Sequence, residues 1–219
     1  MADTDSRAGL SHATREILDW LATTHAPHDA ALARAFDAPA AHGMPAIQLG
    51  ASEAKAVAFL LKLAGARKVV EVGTLAGYSA LAMVHALPAD GHLWTIEFDA
   101  KHARVARENV AVAGESGRIT VLEGAGLDVL PTLEKEGPFD AVFIDADKRN
   151  YDGYGRWAAR NVRKGGLLIG DNAFLFGRLL EDSEEAAAMR RFHEEARETF
   201  DTVCLPTPDG MLLGVRRGR

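Results

Sequence analysis

Short apolar runs rich in β-branched residues punctuate the middle of the chain at 68–72 (KVVEV), 92–97 (HLWTIE), 118–122 (RITVL), 139–145 (FDAVFID) and 166–170 (GLLIG). Runs this continuous predict strands covered on both faces, as in a parallel sheet. Each is followed by a stretch with helical spacing. Residues 78–87 follow the first run, and after the second Ala103, Ala106, Val110 and Ala113 share one face of a helix opened by Asp99. Strand alternating with helix implies crossover connections and a doubly wound α/β sheet. Further on, a charged helix over 182–200 leads to DTVCLP and MLLGVRR, two strands joined by PTPDG, whose proline and Asp-Gly pair suit a hairpin. The expectation is seven strands, mostly parallel, with an antiparallel pair at the end. Upstream, the pattern predicts an amphipathic helix over 14–23 and another over 52–63, while the Ala-rich, His-bearing stretch between them shows no strong period. No internal repeat and no linker rich in Pro or Ser divides the 219 residues. One domain over 1–219 is expected, with 1–45 as an N-terminal helical region.

Composition narrows the classes. A chain 47% hydrophobic and 26% charged can bury a sizeable core, which excludes disordered and collagen-like classes. Its net charge of −6 disfavours nucleic acid and anionic membranes as partners. A single cysteine, Cys204, rules out an internal disulfide framework or a thiolate metal cluster and suits a reducing compartment. The opening MADTDSR is acidic where a secretion signal is basic, and the longest apolar stretch, 56–66, is interrupted by Lys62 and too short to span a bilayer. A cytoplasmic protein is expected.

In open parallel sheets, ligands bind beyond the carboxyl ends of the strands. The first such end reads EVGTLAGYSA, residues 71–80, where Gly73 and Gly77 permit a sharp turn and Tyr78 and Ser79 open a helix. Glu97 ends the second strand, where a carboxylate can accept hydrogen bonds from both hydroxyls of a ribose. The turn departs from G-x-G-x-x-G, since Leu75 stands where the second pyrophosphate glycine belongs. Glu71, ahead of the turn, opposes a pyrophosphate but suits a cationic or amine-bearing ligand. S-adenosylmethionine has a sulfonium, an ammonium and a ribose without phosphate, so Glu71 and Glu97 favour it over NAD. A tight turn with no ligand would also explain the two glycines.

The fourth strand ends FIDADKRNY and the fifth LIGDN, which sets Asp145, Asp171 and Asn172 at the carboxyl ends of two strands. Three hard oxygen ligands without His or Cys suit Mg²⁺, or Mn²⁺ or Ca²⁺, rather than zinc. The plainer reading is that Asp and Asn end strands and cap helices. Lys148 lies three residues beyond Asp145. Beside a divalent cation and a sulfonium its protonated form is disfavoured, so it could take a proton from a hydroxyl.

Together these segments resemble the cation-dependent O-methyltransferases typified by catechol and caffeoyl-CoA O-methyltransferases, over about 44–215. EVGTLAGYSALAMVHALPADG is similar to the family's cofactor segment, IEFD to its ribose segment, FIDADKRNY to its metal-and-base segment, GDN to its second metal segment and PTPDGMLLGVRR to its closing hairpin. The resemblance implies a Rossmann-like methyltransferase sheet. It also implies an S-adenosylmethionine site formed by Gln48, Leu49, Glu71, Gly73, Thr74, Leu75, Tyr78, Ser79, Glu97, Phe98, Ala125, Gly126 and Asp145. Asp145, Asp171 and Asn172 would hold Mg²⁺ and Lys148 would be the catalytic base. A homodimer, with the N-terminal region covering the acceptor and joining subunits, is implied as well. Two departures stand out. Ala76 replaces a frequent threonine, and Leu175 takes the place of a Trp, which leaves Phe174 or Phe176 to supply the aromatic wall of the acceptor pocket. The implied reaction is methyl transfer to a hydroxyl of a small-molecule aromatic diol, whether free catechol, CoA thioester, flavonoid or natural-product precursor. The competing readings are a nicotinamide-dependent reductase and a catalytically idle cofactor-binding protein.

Overall fold

The structure, a computed structural model, describes residues 12–218. Strands β1 (Lys68–Val72), β2 (His92–Glu97), β3 (Ile119–Glu123), β4 (Phe139–Ile144) and β5 (Val162–Gly170) run parallel, while β6 (Phe200–Leu205) and β7 (Met211–Arg216) form the antiparallel pair, β7 lying against β5. Their order is β3-β2-β1-β4-β5-β7-β6, so the winding reverses between β1 and β4. Helices α1 (Arg15–His25), α2 (Ala30–Ala41), α3 (Ala51–Leu63), α4 (Tyr78–Val84), α5 (Ala100–Val112), α6 (Gly126–Val129), α7 (Tyr151–Asn161) and α8 (Glu184–Thr199) complete the described elements, with short 3₁₀ segments at Leu130–Glu136 and Lys148–Asn150.

Alternation along the strands divides the core between two faces. Val70, Val142, Ile144 and Leu168 pack against Tyr151, Tyr154 and Trp157 of α7 and Phe192 of α8. Val69, Leu93, Phe143 and Ile169 point the other way, onto Val57 and Leu61 of α3, Leu81 and Val84 of α4, and Val110 of α5. Both faces are covered, as the continuous apolar runs predict. None of the described helices is long and apolar enough to cross a membrane.

Two stretches depart from the sequence pattern. The Ala-rich segment without a clear period forms α2, because Asp29 caps it by accepting from the Leu32 N–H at 2.8 Å and small residues, Ala35 and Ala38, bury its inner face. Alanine on every side hides the period while favouring the helix. Strand β5 begins at Val162 rather than 166, because Gly165 at φ +72° lets VRKG stay in the sheet through a shift of register opposite Phe139 and Ala141.

At the switch point, a Cβ on Gly73 would lie 1.9 Å from the Asp145 carbonyl oxygen, and its φ is +101°. Gly114 also has positive φ (+77°), but a Cβ there meets nothing within 4 Å. Urea denaturation should therefore separate them. Gly73→Ala is expected to cost roughly 3 kcal/mol or more through strain plus overlap, and Gly114→Ala about 1 kcal/mol through strain alone. Equal losses would show that the close approach of β1 and β4 is relaxed.

Candidate active site

The ladder continues one bond past the strands. Gly73 N–H donates to Ile96 O at 3.0 Å, Gly124 N–H to Glu97 O at 2.8 Å, Asp145 N–H to Val72 O at 2.9 Å and Asp171 N–H to Ile144 O at 2.9 Å. These ends open into a crevice of about 880 Å³, within the range of small-molecule sites. Its wall includes Gln48, Leu49, Gly73, Thr74, Leu75, Tyr78, Ser79, Glu97, Phe98, Ala125, Gly126, Asp145, Lys148, Asp171 and Asn172. Of the residues expected here, Glu71 alone lies outside the wall.

Glu71 stands beneath the floor, fully buried, because the side chain of a mid-sheet residue points into the layer below. It accepts from Ser79 Oγ at 2.5 Å and Thr95 Oγ1 at 2.6 Å, so Ser79 carries its influence to the crevice. Burial pushes the Glu71 carboxyl up to about 8, opposed by those two hydroxyl bonds. Thr95 Oγ1 in turn lies 2.5 Å from Thr74 Oγ1, which links the carboxyl to the glycine turn.

The turn depends on Glu97. Leu75 occupies the left-handed region at φ +50°, a strained conformation for a branched residue. The Glu97 carboxylate holds it by accepting from Leu75 N–H at 2.8 Å and Thr74 N–H at 3.2 Å on one oxygen, and from Asp99 N–H at 2.9 Å on the other. His102 Nδ1 lies 3.6 Å from Glu97 Oε1 and joins the crevice wall. Glu97 is thus fixed in direction. The sequence points to a ribose-facing carboxylate but gives no sign that the same group props the turn. From the other side, buried Asn109 of α5 donates to Ala76 O at 2.9 Å and accepts from Arg34 of α2 at 3.1 Å.

Across the crevice, β4 and β5 are neighbours in register, Ile144 opposite Gly170, so Asp145 and Asp171 project side by side. Asp171 is 5% exposed, and its Oδ1 is buried without a hydrogen-bond partner. Burial and, second, the charge of Asp145 push its carboxyl up to about 7. An orphaned buried carboxylate oxygen is costly unless a cation meets it, and here Asn172 adds an amide oxygen donor at the same strand end. These residues therefore fit a hard cation. Among the described residues no three His, Cys, Asp or Glu side chains cluster as metal ligands, so a cation here would have two carboxylates and the Asn172 amide to draw on. Lys148 Nζ donates to Asp145 Oδ1 at 3.2 Å and to the Tyr151 hydroxyl at 3.0 Å.

The outer wall comes from loops. After Asn172 (φ +53°), Leu175 and Phe176 also take positive φ, at +51° and +54°. The β6–β7 turn holds this segment, with Ala173 N–H donating to Gly210 O and Phe174 N–H to Asp209 O, both at 2.9 Å, and Phe176 N–H to Asp209 Oδ1 at 2.7 Å. Leu175 is buried in the core and Phe174 packs at Gly210, whereas Phe176, 61% exposed, lines the crevice beside Pro208 and Asp209. Phe176 is the aromatic residue on this wall. Asp209 was legible only as part of a turn signal; its fold back over the crevice is tertiary. On the opposite side His28 Nε2 lies 2.7 Å from the Tyr78 hydroxyl, and Gln48 donates to Phe36 O at 2.9 Å.

A crevice at the switch point of a doubly wound sheet, with carboxylates at adjacent strand ends and a lysine among them, defines an α/β enzyme that works on a nucleoside-type cofactor. The chain belongs to the O-methyltransferase family, whose model matches residues 23–217. A catechol O-methyltransferase of Niastella koreensis is 42% identical over 199 residues, covering 85% of this chain and 90% of that protein. One of Mycobacterium tuberculosis is 41% identical over 170 residues, covering 78% and 77%. The crystal structure of an O-methyltransferase from Bacillus cereus in complex with SAH superposes with a TM-score of 0.88 at 31% identity, covering 92% of this chain and 97% of that one. The nicotinamide reductase reading is left without support.

The depth of Glu71 generates a pH prediction. The folded protein keeps its proton up to about 8 where the unfolded chain releases it near 4.5, so this contribution to stability is complete below 4.5 and is lost as pH rises through 8. One fully retained proton corresponds to a slope of about 1.4 kcal/mol per pH unit. Thermal melts of the cofactor-free protein from pH 5 to 8 should show falling stability, and Glu71→Gln should lessen the slope, the remaining fall up to about 7 belonging to the raised Asp171 carboxyl. A variant with the parental slope would place the buried proton elsewhere.

Proposed function

We propose that the protein transfers the methyl group of S-adenosylmethionine to one hydroxyl of a vicinal-dihydroxy, catechol-like aromatic, with Mg²⁺ or a similar hard cation held by Asp145, Asp171 and Asn172. The observation that carries this reading is the orphaned Asp171 Oδ1 beside Asp145, with Lys148 on the same Asp145 carboxylate. The names of the relatives and the SAH bound by the Bacillus cereus protein support it.

When bound, such a cation would act as a Lewis acid that favours ionisation of the acceptor hydroxyl. Lys148 receives the proton of the reacting hydroxyl at Nζ. The oxygen then forms its bond to the methyl carbon as the carbon–sulfur bond breaks, leaving a neutral thioether, and no covalent enzyme intermediate is needed. Glu97 accepts from the ribose hydroxyls, and Ser79, backed by Glu71, faces the ammonium end of the donor. Gln48, Leu49, Thr74, Tyr78, Phe98, Ala125 and Gly126 enclose the remainder. Because an anionic oxygen and a cationic sulfonium neutralise each other in the transfer, an acceptor seated against the apolar flank of Ile47, Phe176 and Pro208 would favour it by displacing water.

The protein acts as a homodimer in this reading. Helix α1 buries none of its residues; Ile17 and Trp20 are 46% and 64% exposed, and Phe59 and Leu63 of neighbouring α3 are 56% and 70% exposed. An apolar patch of this kind marks an interface. Residues 1–11 of the N-terminal region lie outside the described residues.

Two experiments test the reading. EDTA should abolish methylation of catechol and added Mg²⁺ restore it; Asp171→Asn should lower turnover roughly 100-fold or more while SAH still binds in calorimetry. Full activity in EDTA would remove the cation from the mechanism. Light scattering should give a dimer for the intact protein and a monomer for Trp20→Glu. An intact monomer would assign the exposed face of α1 another role.

A further inference from the structure

Tyr151 opens α7 directly behind Lys148, and it is fully buried. Its ring sits edge-on to Phe192 of α8, with centroids 5.3 Å apart and planes at 88°, and Tyr154 flanks it at 6.5 Å. The ring therefore has no freedom to turn away. Its hydroxyl lies 3.1 Å from Ile144 O and 2.9 Å from Asp171 O, the carbonyls at the ends of β4 and β5, and 3.0 Å from Lys148 Nζ. Both carbonyls can only accept, so the single phenolic proton is committed to them. Toward Lys148 the oxygen can only accept.

We propose that Tyr151 is a positioning residue that aims Lys148 at the acceptor. This rests on the reading of Lys148 as base. One N–H of Lys148 is taken by Tyr151 and a second by Asp145 Oδ1 at 3.2 Å, and the side chain is 13% exposed at the crevice wall. A tetrahedral nitrogen with two positions fixed has its remaining position fixed too. That position carries a hydrogen in the ammonium form and the lone pair in the amine form, on a side chain that lines the crevice. A lysine alone is a flexible point charge on a four-carbon stem. Tyr151 converts it into a directed acceptor and ties its direction to the two strand ends that carry Asp145 and Asp171.

The test is a double-mutant cycle with catechol and saturating Mg²⁺, comparing the parent, Tyr151→Phe, Lys148→Ala and the double variant. Tyr151→Phe should lower kcat about 10- to 100-fold, the scale of a misdirected group, with the KM for catechol and the affinity for SAH unchanged. Ile144 O keeps the Asp171 N–H as a partner at 2.9 Å, while Asp171 O and the Ala146 N–H lose theirs. The melting temperature should fall by no more than about 4 °C. In the Lys148→Ala background the same substitution should have almost no further effect, because its role passes through the lysine. An equal fold loss in both backgrounds would overturn the proposal and leave Tyr151 as scaffold. If Lys148→Ala itself retains the parental kcat, the base assignment fails and the proposal fails with it. Should Tyr151→Phe not fold, 3-fluorotyrosine at 151 weakens the oxygen as an acceptor while keeping the ring; loss of kcat only when Lys148 is present supports the proposal, and loss without it overturns it.

Discussion

The site depends on how closely β1 and β4 approach at the point where the winding reverses. Gly73 has no Cβ, and the Asp145 carbonyl fills the space one would need. That approach lets the Asp145 N–H reach Val72 O, and the ladder then steps on to β5 through the Asp171 N–H. On the other side the Gly73 N–H extends the ladder to β2. Each strand thus ends one bond late, and the first side chains beyond these bonds are the ones in the crevice. Their relative positions are inherited from backbone hydrogen bonds, which is a stiffer source of geometry than loop packing.

The carboxylates at these ends differ in what supports them. Glu97 receives three backbone N–H groups. Glu71 receives only hydroxyls and is buried, so its carboxyl is pushed up to about 8; Asp171, buried beside Asp145, is pushed up to about 7. Positive charge arriving in the crevice is the natural relief for both. The same fold therefore stores its electrostatic cost where cationic ligands are expected to bind, a pattern in which binding and stability are linked.

Much of this was legible in the sequence because the strands carry it. KVVEV and HLWTIE delimit β1 and β2 to the residue, and FIDADK and GDN place Asp145, Lys148, Asp171 and Asn172 at strand ends without reference to any contact. What stayed hidden depends on other elements. The depth of Glu71 follows from the pleat and from Thr95 on the neighbouring strand. The strained Leu75 reads as a failed glycine until Glu97, distant in sequence, is seen holding its N–H. Alanine masks the face of α2, and Asp-Gly at 209–210 announces a turn without saying that it returns to pin Phe176.

The two halves of the crevice are held by different means, and this has a consequence for specificity. The donor half and the Asp145–Asp171 pair hang from the sheet. The acceptor wall is attached through the β6–β7 turn, with Asp209 holding Phe176, and the N-terminal helices reach the crevice rim through His28 on Tyr78 and Gln48 on the Phe36 carbonyl. Strain at Phe176 lies in that wall, where side-chain exchange does not touch the ladder. On the proposed reading, changes at Ile47, Phe176 or Pro208 would alter which acceptor fits without shifting Lys148 or Asp171. On that reading, a sheet-bound reaction centre under a loop-bound wall would keep one chemistry while the wall selects the shape of the acceptor.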